Sequence, residues 1–119
     1  VWGALYDVLA DLYDPYPPLH EQLQWITGTN SDEEARAFLA DFNLEGKLAN
    51  ITCPVLVTHG TRDHMVPVSS AQRLFDEIPV ADKTLRLFDD EVGGSGHCSV
   101  DNWTQVVAYQ IDWVLDKLG

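Results

Sequence analysis

The sequence predicts an α/β protein built on a parallel sheet, and three observations predict it. PVLVTHG at residues 54–60 is a near-continuous β-branched run closed by glycine, the pattern of a central strand covered on both faces. TLRLF at residues 84–88 is a second short strand. Between them, SSAQRLFDEI at residues 69–78 places Ala71, Leu74, Phe75 and Ile78 on one helical face. Two strands joined by a helical crossover run parallel, and the crossover is right-handed.

The other elements follow from local signals. Trp2, Leu5, Leu9, Leu12 and Tyr13 recur at helical spacing and predict one amphipathic stretch, ended by Asp14-Pro15 and Pro17-Pro18. A short segment over residues 19–26 is broken by Gly28-Thr29-Asn30. Ser31 with Glu34 three residues on is a capping box. It opens a helix over residues 32–42 that should bury Ala35, Phe38, Leu39 and Phe42. Residues 90–100 hold three glycines and read as a loop. Asn102 is expected to cap a last helix with Trp103, Val107, Ile111, Val114 and Leu118 on its apolar stripe. Residues 1–48 thus form a helical segment, and residues 49–119 carry strand, helix, strand and helix. Two strands make a poor sheet. A central strand with one flank open implies that a neighbouring strand lies outside this chain, since an exposed apolar edge invites aggregation.

Composition narrows the function. The chain has 119 residues, 45% apolar and 22% charged, the make-up of one globular domain at most. Seven Lys and Arg face 19 Asp and Glu, for a net charge of −12. The excess is spread along the chain, with nine acids and two bases in residues 1–50 and ten and five in residues 51–119. Such a surface repels nucleic-acid phosphate and anionic membranes. Cys53 and Cys98 do not make a disulfide framework, and we expect buried free thiols in a reducing, cytoplasmic setting. No metal-ligand spacing occurs, so neither metal nor other cofactor is expected. His20 reads as a solvated or capping residue. The opening VWGALYDVLADLY begins inside an amphipathic segment, from which we expect an upstream portion of the protein.

Ligands of parallel α/β sheets bind beyond the carboxyl ends of the strands. Two loops occupy that edge: HGTRDHMVP at 59–67 and EVGGSGHC at 91–98. Neighbouring strands lie about 4.8 Å apart, so Asp63 and His97 can meet. A carboxylate that accepts the Nδ1–H of a histidine fixes its tautomer and stabilises the imidazolium formed when it takes a proton. The remaining residues of the two loops have plainer readings. His59 is a packed residue, Arg62 and His64 face solvent, residues 89–91 form a solvated acidic run, and Asp101 caps the last helix or orients the His loop. The aromatics of residues 1–25 serve the core or line a pocket.

ITCPVLVTHGTRDHMVPV, a helix, TLRLFDD and then GGSGHCSVDN resemble the C-terminal part of an α/β-hydrolase. The resemblance implies that Asp63 of GTRDHMVP is the triad acid and that His97 is the base. Across residues 44–102 the chain is similar to the branch holding 2,6-dihydropseudooxynicotine hydrolase and the fungal heptaketide hydrolases. It thereby implies cleavage of a carbon–carbon bond next to a ketone, or of an ester, in a small carbonyl substrate. The fold it implies is a partial α/β-hydrolase fold, in which residues 1–48 form a lid and residues 49–119 the C-terminal portion of the core.

The pattern lacks its nucleophile. The family's serine sits upstream of the acid in a G-x-S-x-G elbow, whereas Ser31 in TNSDEE caps a helix and GGSGH carries His where the elbow needs Gly. Ser95 and Cys98 stand too near His97 in sequence to be expected as its partner. The expectation is therefore a C-terminal fragment of a serine-type hydrolase that supplies Asp63 and His97. The alternative from another class is a non-catalytic α/β module that pairs through its open strand edge with a second copy or a partner.

Overall fold

The computed structural model describes residues 1–119. Strand β1 (Val55–Gly60) and strand β2 (Lys83–Phe88) form the parallel pair, in register from Val55 opposite Lys83 to Gly60 opposite Phe88. Every residue of β1 is buried, whereas β2 is half-buried until Phe88. Four helices complete the chain: α1 (His20–Thr27), α2 (Asp32–Leu39), α3 (Val68–Glu77) and α4 (Trp103–Leu118). Helix α3 is the crossover. Its Ala71 and Leu74, with Ile78 just beyond, pack on Val55 and Val57 together with Tyr6 and Leu48. Each large aliphatic side chain so buried contributes about 2 kcal/mol. Tyr6 pins the crossover a second way, because its hydroxyl bonds Glu77 while Arg73 stacks on its ring.

Residues 1–7 depart from the expected helix. Their backbone groups bond other segments instead: Thr58 N–H donates to Val1 O, Gly3 N–H to Thr58 O and Leu44 N–H to Tyr6 O. Trp2 thereby bridges Thr58 in parallel and Asp7 bridges Asn43 antiparallel. Helical spacing of the apolar residues cannot reveal such long-range pairing, which satisfies the same donors and acceptors. Only Leu9–Tyr13 coils, as a single wide turn. The first three residues thus lie against the middle of β1, from Leu56 to Thr58. An apolar groove of about 740 Å³ runs beside it, lined by Val55, Leu56, Leu48, Ile78 and Trp113 among others.

A second small core joins Tyr13 to Ala35 and Leu39 under α1 and α2. The capping box forms, with Ser31 Oγ accepting from Glu34 N–H, although Glu34 turns back to the N–H of Asn30. Helix α2 stops at Leu39, and the expected burial of Phe38 and Phe42 fails: they stack on each other near the surface. His20 is not solvated. It stacks flat on Tyr13 with ring centroids 4.0 Å apart and bonds the Tyr13 carbonyl. Cys53 is exposed rather than buried.

Helix α4 inverts its expected stripe. Val106 is its buried residue, while Trp103, Ile111, Val114 and Leu118 face solvent. The helix meets a two-stranded sheet through Val106, Tyr109, Gln110 and Trp113, and nothing in the chain covers its other face. The radius of gyration of 15.8 Å exceeds the roughly 13.5 Å of a compact domain of this length, in keeping with two separate cores and an open sheet. No helix is long and apolar enough to cross a membrane.

Candidate active site

Both strands end at the same edge, and their following loops lock together there. Arg62 N–H donates to Ser95 O at 2.8 Å and Thr61 N–H to Phe88 O at 2.8 Å. Gly60 makes this approach possible, since a Cβ there would lie 2.3 Å from Ser95 O. Gly94 turns the second loop at φ +86° under Val106, a backbone that residues with a Cβ rarely adopt.

The interlock brings Asp63 and His97 together. His97 Nδ1 lies 2.9 Å from Asp63 Oδ2 and 3.0 Å from Oδ1. The Asp63 side chain is 1% exposed and that of His97 29%, so the acid is sealed and the imidazole reaches outward. Asp63 also accepts the N–H groups of Met65 and Val66, each at 2.9 Å. Burial pushes its carboxyl up, but the Val66 and Met65 amides and His97 outweigh that and hold it below the ordinary range. An ionised carboxylate can only accept, so Nδ1–H donates to it and Nε2 points away from the acid.

His59 is packed, as its strand position predicted. It is fully buried, donates Nε2–H to Val66 O at 3.0 Å, and stands 3.7 Å from Asp63 Oδ2. Its Nδ1 has no partner. Arg62 faces solvent and pairs with Asp90, while His64 is exposed. Asp90 is not merely solvated, for it also accepts the Ser95 hydroxyl at 2.6 Å.

Two residues exceed what their sequence positions suggested. Cys98 Sγ lies 3.4 Å from His97 Nε2, because Cys98 and Ser99 both turn left-handed at φ 48° and 53°. Burial, and then the charge of Asp63, push this thiol up, so it stays protonated and donates to Nε2. Asp101 accepts the N–H groups of Gly94, Ser95 and Gly96, so its side chain is bonded to the His loop and does not cap α4. Asn102 makes no side-chain cap either. It reaches back to Val92 O and across to Gln105. The signal for Asp101 was a carboxylate four residues beyond a histidine that follows a glycine-rich loop. No serine or threonine hydroxyl bonds His97 Nε2, and Ser31 sits in its helix cap.

Residues 37–92 match the family described as serine aminopeptidase, S33. The match spans just under half of the chain and carries β1, Asp63, α3 and β2. The match indicates a hydrolase of the α/β-hydrolase superfamily. His97 of this hydrolase lies beyond the matched stretch, on the loop that β2 leads into. No curated protein and no solved structure matches the hydrolase.

Proposed function

We propose that Asp63 and His97 are the acid and base of a serine-type triad whose hydroxyl nucleophile comes from chain outside these 119 residues. The two contacts between His97 Nδ1 and the sealed Asp63 carboxylate carry this reading. In the reaction, His97 Nε2 takes the hydroxyl proton as the oxygen attacks a substrate carbonyl carbon, and Asp63 stabilises the imidazolium. The tetrahedral intermediate collapses as His97 returns the proton to the leaving group. That group is an alcohol oxygen in an ester, or the carbon between two carbonyls in a β-diketone. Water then hydrolyses the acyl-enzyme by the same proton path. A small carbonyl compound is the substrate class, in line with the similarity of residues 44–102 to the dihydropseudooxynicotine and heptaketide hydrolase branch, and residues 1–48 would act as its lid in a cytoplasmic enzyme.

The test is the reading frame upstream of Val1 and the activity of its product. A strand, a G-x-S-x-G elbow and a helix in frame, with turnover of a β-diketone or an aryl ester that His97→Ala abolishes, is the expected result. A start codon at Val1 overturns it.

The edge of β1, which Val1–Gly3 cover only in part, and the apolar groove beside it favour a second reading. In it the chain acts without turnover and pairs as a homodimer or with a partner along that edge. Sedimentation separates the two, since a stable, concentration-independent dimer of the complete gene product supports pairing.

A further inference from the structure

Asp101 draws three consecutive backbone donors onto one carboxylate. Gly94 N–H reaches Oδ2 at 2.8 Å, Ser95 N–H reaches Oδ2 at 3.1 Å, and Gly96 N–H reaches Oδ1 at 2.9 Å. The three amides form a concave cluster of partial positive charge, which suits an ionised acceptor with several lone pairs and not a neutral amide. The carboxyl is accordingly held below its ordinary range, first by the Gly96 amide. Asp101 precedes α4, where an acid would serve as a helix cap, yet its oxygens turn away from the first turn of that helix and toward the loop.

The bonds close a ring around His97. Residues 94–96 enter it, Asp101 leaves it, and the turn between them is tied by Ser99 N–H to Gly96 O and Asn102 N–H to Ser99 O. The imidazole stands at the apex. Its only side-chain anchor on the acid side is Asp63, which hangs from the other strand. The reach between the two therefore depends on where the ring holds the His97 backbone.

We propose that Asp101 is the positioning residue of the His97 loop, setting the imidazole at hydrogen-bond distance from Asp63. The role rests on the reading of His97 as the base. A displacement near 1 Å is enough to lower turnover about 100-fold.

The test uses the 119-residue chain labelled with ¹⁵N. The probes are the downfield Nδ1–H proton of His97 and its ring-nitrogen shifts, which report the tautomer directly. Asp101→Ala should lose that proton resonance, mix the His97 tautomers and speed amide exchange at residues 94–96 at least tenfold. Asp101→Asn, which keeps its volume and one acceptor oxygen, should fall between wild type and alanine, and it decides the matter should the alanine variant not fold. Asn102→Ala, which removes a neighbouring tie to Val92, should leave the His97 signals in place. An Asp101→Ala or Asp101→Asn variant with unchanged His97 signals overturns the positioning role alone. A wild-type chain without the Nδ1–H resonance, or one that keeps it in Asp63→Asn, overturns the Asp63–His97 pairing and the positioning role with it.

Discussion

Gly60 and Ser95 meet so closely that a single methyl group on Gly60 would lie 2.3 Å from the Ser95 carbonyl oxygen. The two loops carrying Asp63 and His97 are thus spaced by a hydrogen atom, and the geometry of the pair depends on it.

Gly60→Ala should therefore destabilise the chain by about 1–3 kcal/mol, the usual range for overpacking a site that cannot yield. The clashing atoms are backbone, which cannot rotate away. Urea unfolding measures the loss, and the Arg62 amide, bonded to Ser95 O, should lose its exchange protection.

Asp63→Asn should leave the fold recognisable and remove the tautomer control of His97. In the complete gene product, kcat should fall by roughly 10⁴-fold, as expected when an amide replaces a triad carboxylate. Steady-state turnover of an aryl ester checks this. A change below tenfold would be incompatible with a base oriented by Asp63.

The same carboxylate sets a pH dependence. Its folded value is lowered from an ordinary 3.8, so its contribution to stability is complete above that value and is lost as pH falls through the folded one. Wild type should exceed Asp63→Asn in urea midpoint at pH 5. The margin should shrink steadily below about pH 4.

The two thiols should separate under alkylation. Cys53 is exposed, whereas Cys98 is partly covered and its thiol is pushed up by burial and by Asp63. The thiolate is the reacting form. Iodoacetamide at pH 8 should therefore label Cys53 first, with mass mapping showing Cys98 at least tenfold slower. Asp63→Asn should narrow the gap by removing the nearby negative charge.

What the sequence made legible was local or periodic. The β1 run, the α3 face and the acid and histidine placed after successive strands needed only spacing and a parallel crossover. What escaped depended on distant partners. Trp2 and Tyr6 read as helical because their neighbours recur at helical intervals, yet their backbone pairs with Thr58 and Leu44. Asp101 stands where a helix cap would stand, and only the folded loop shows three amides aimed at it. The α4 stripe was read correctly as apolar, but burial needs a surface opposite, and two strands supply one only for the face that holds Val106, Tyr109, Gln110 and Trp113. Cys98 was set aside because adjacent residues seldom face each other, and its left-handed backbone turns the thiol back onto His97.

The turn bearing His97 is held by two indoles. Trp2 Nε1–H donates to Ser99 Oγ at 3.4 Å, Trp103 Nε1–H donates to Cys98 O at 2.8 Å, and the two rings sit edge to face with centroids 6.2 Å apart. Indoles this close couple their electronic transitions, so the pair gives the turn an optical signature of its own. A displacement of the turn that moves Ser99 or the Cys98 carbonyl shifts the indoles bonded to them and changes that coupling. The chain therefore contains an intrinsic near-ultraviolet reporter for its histidine, readable without label or substrate.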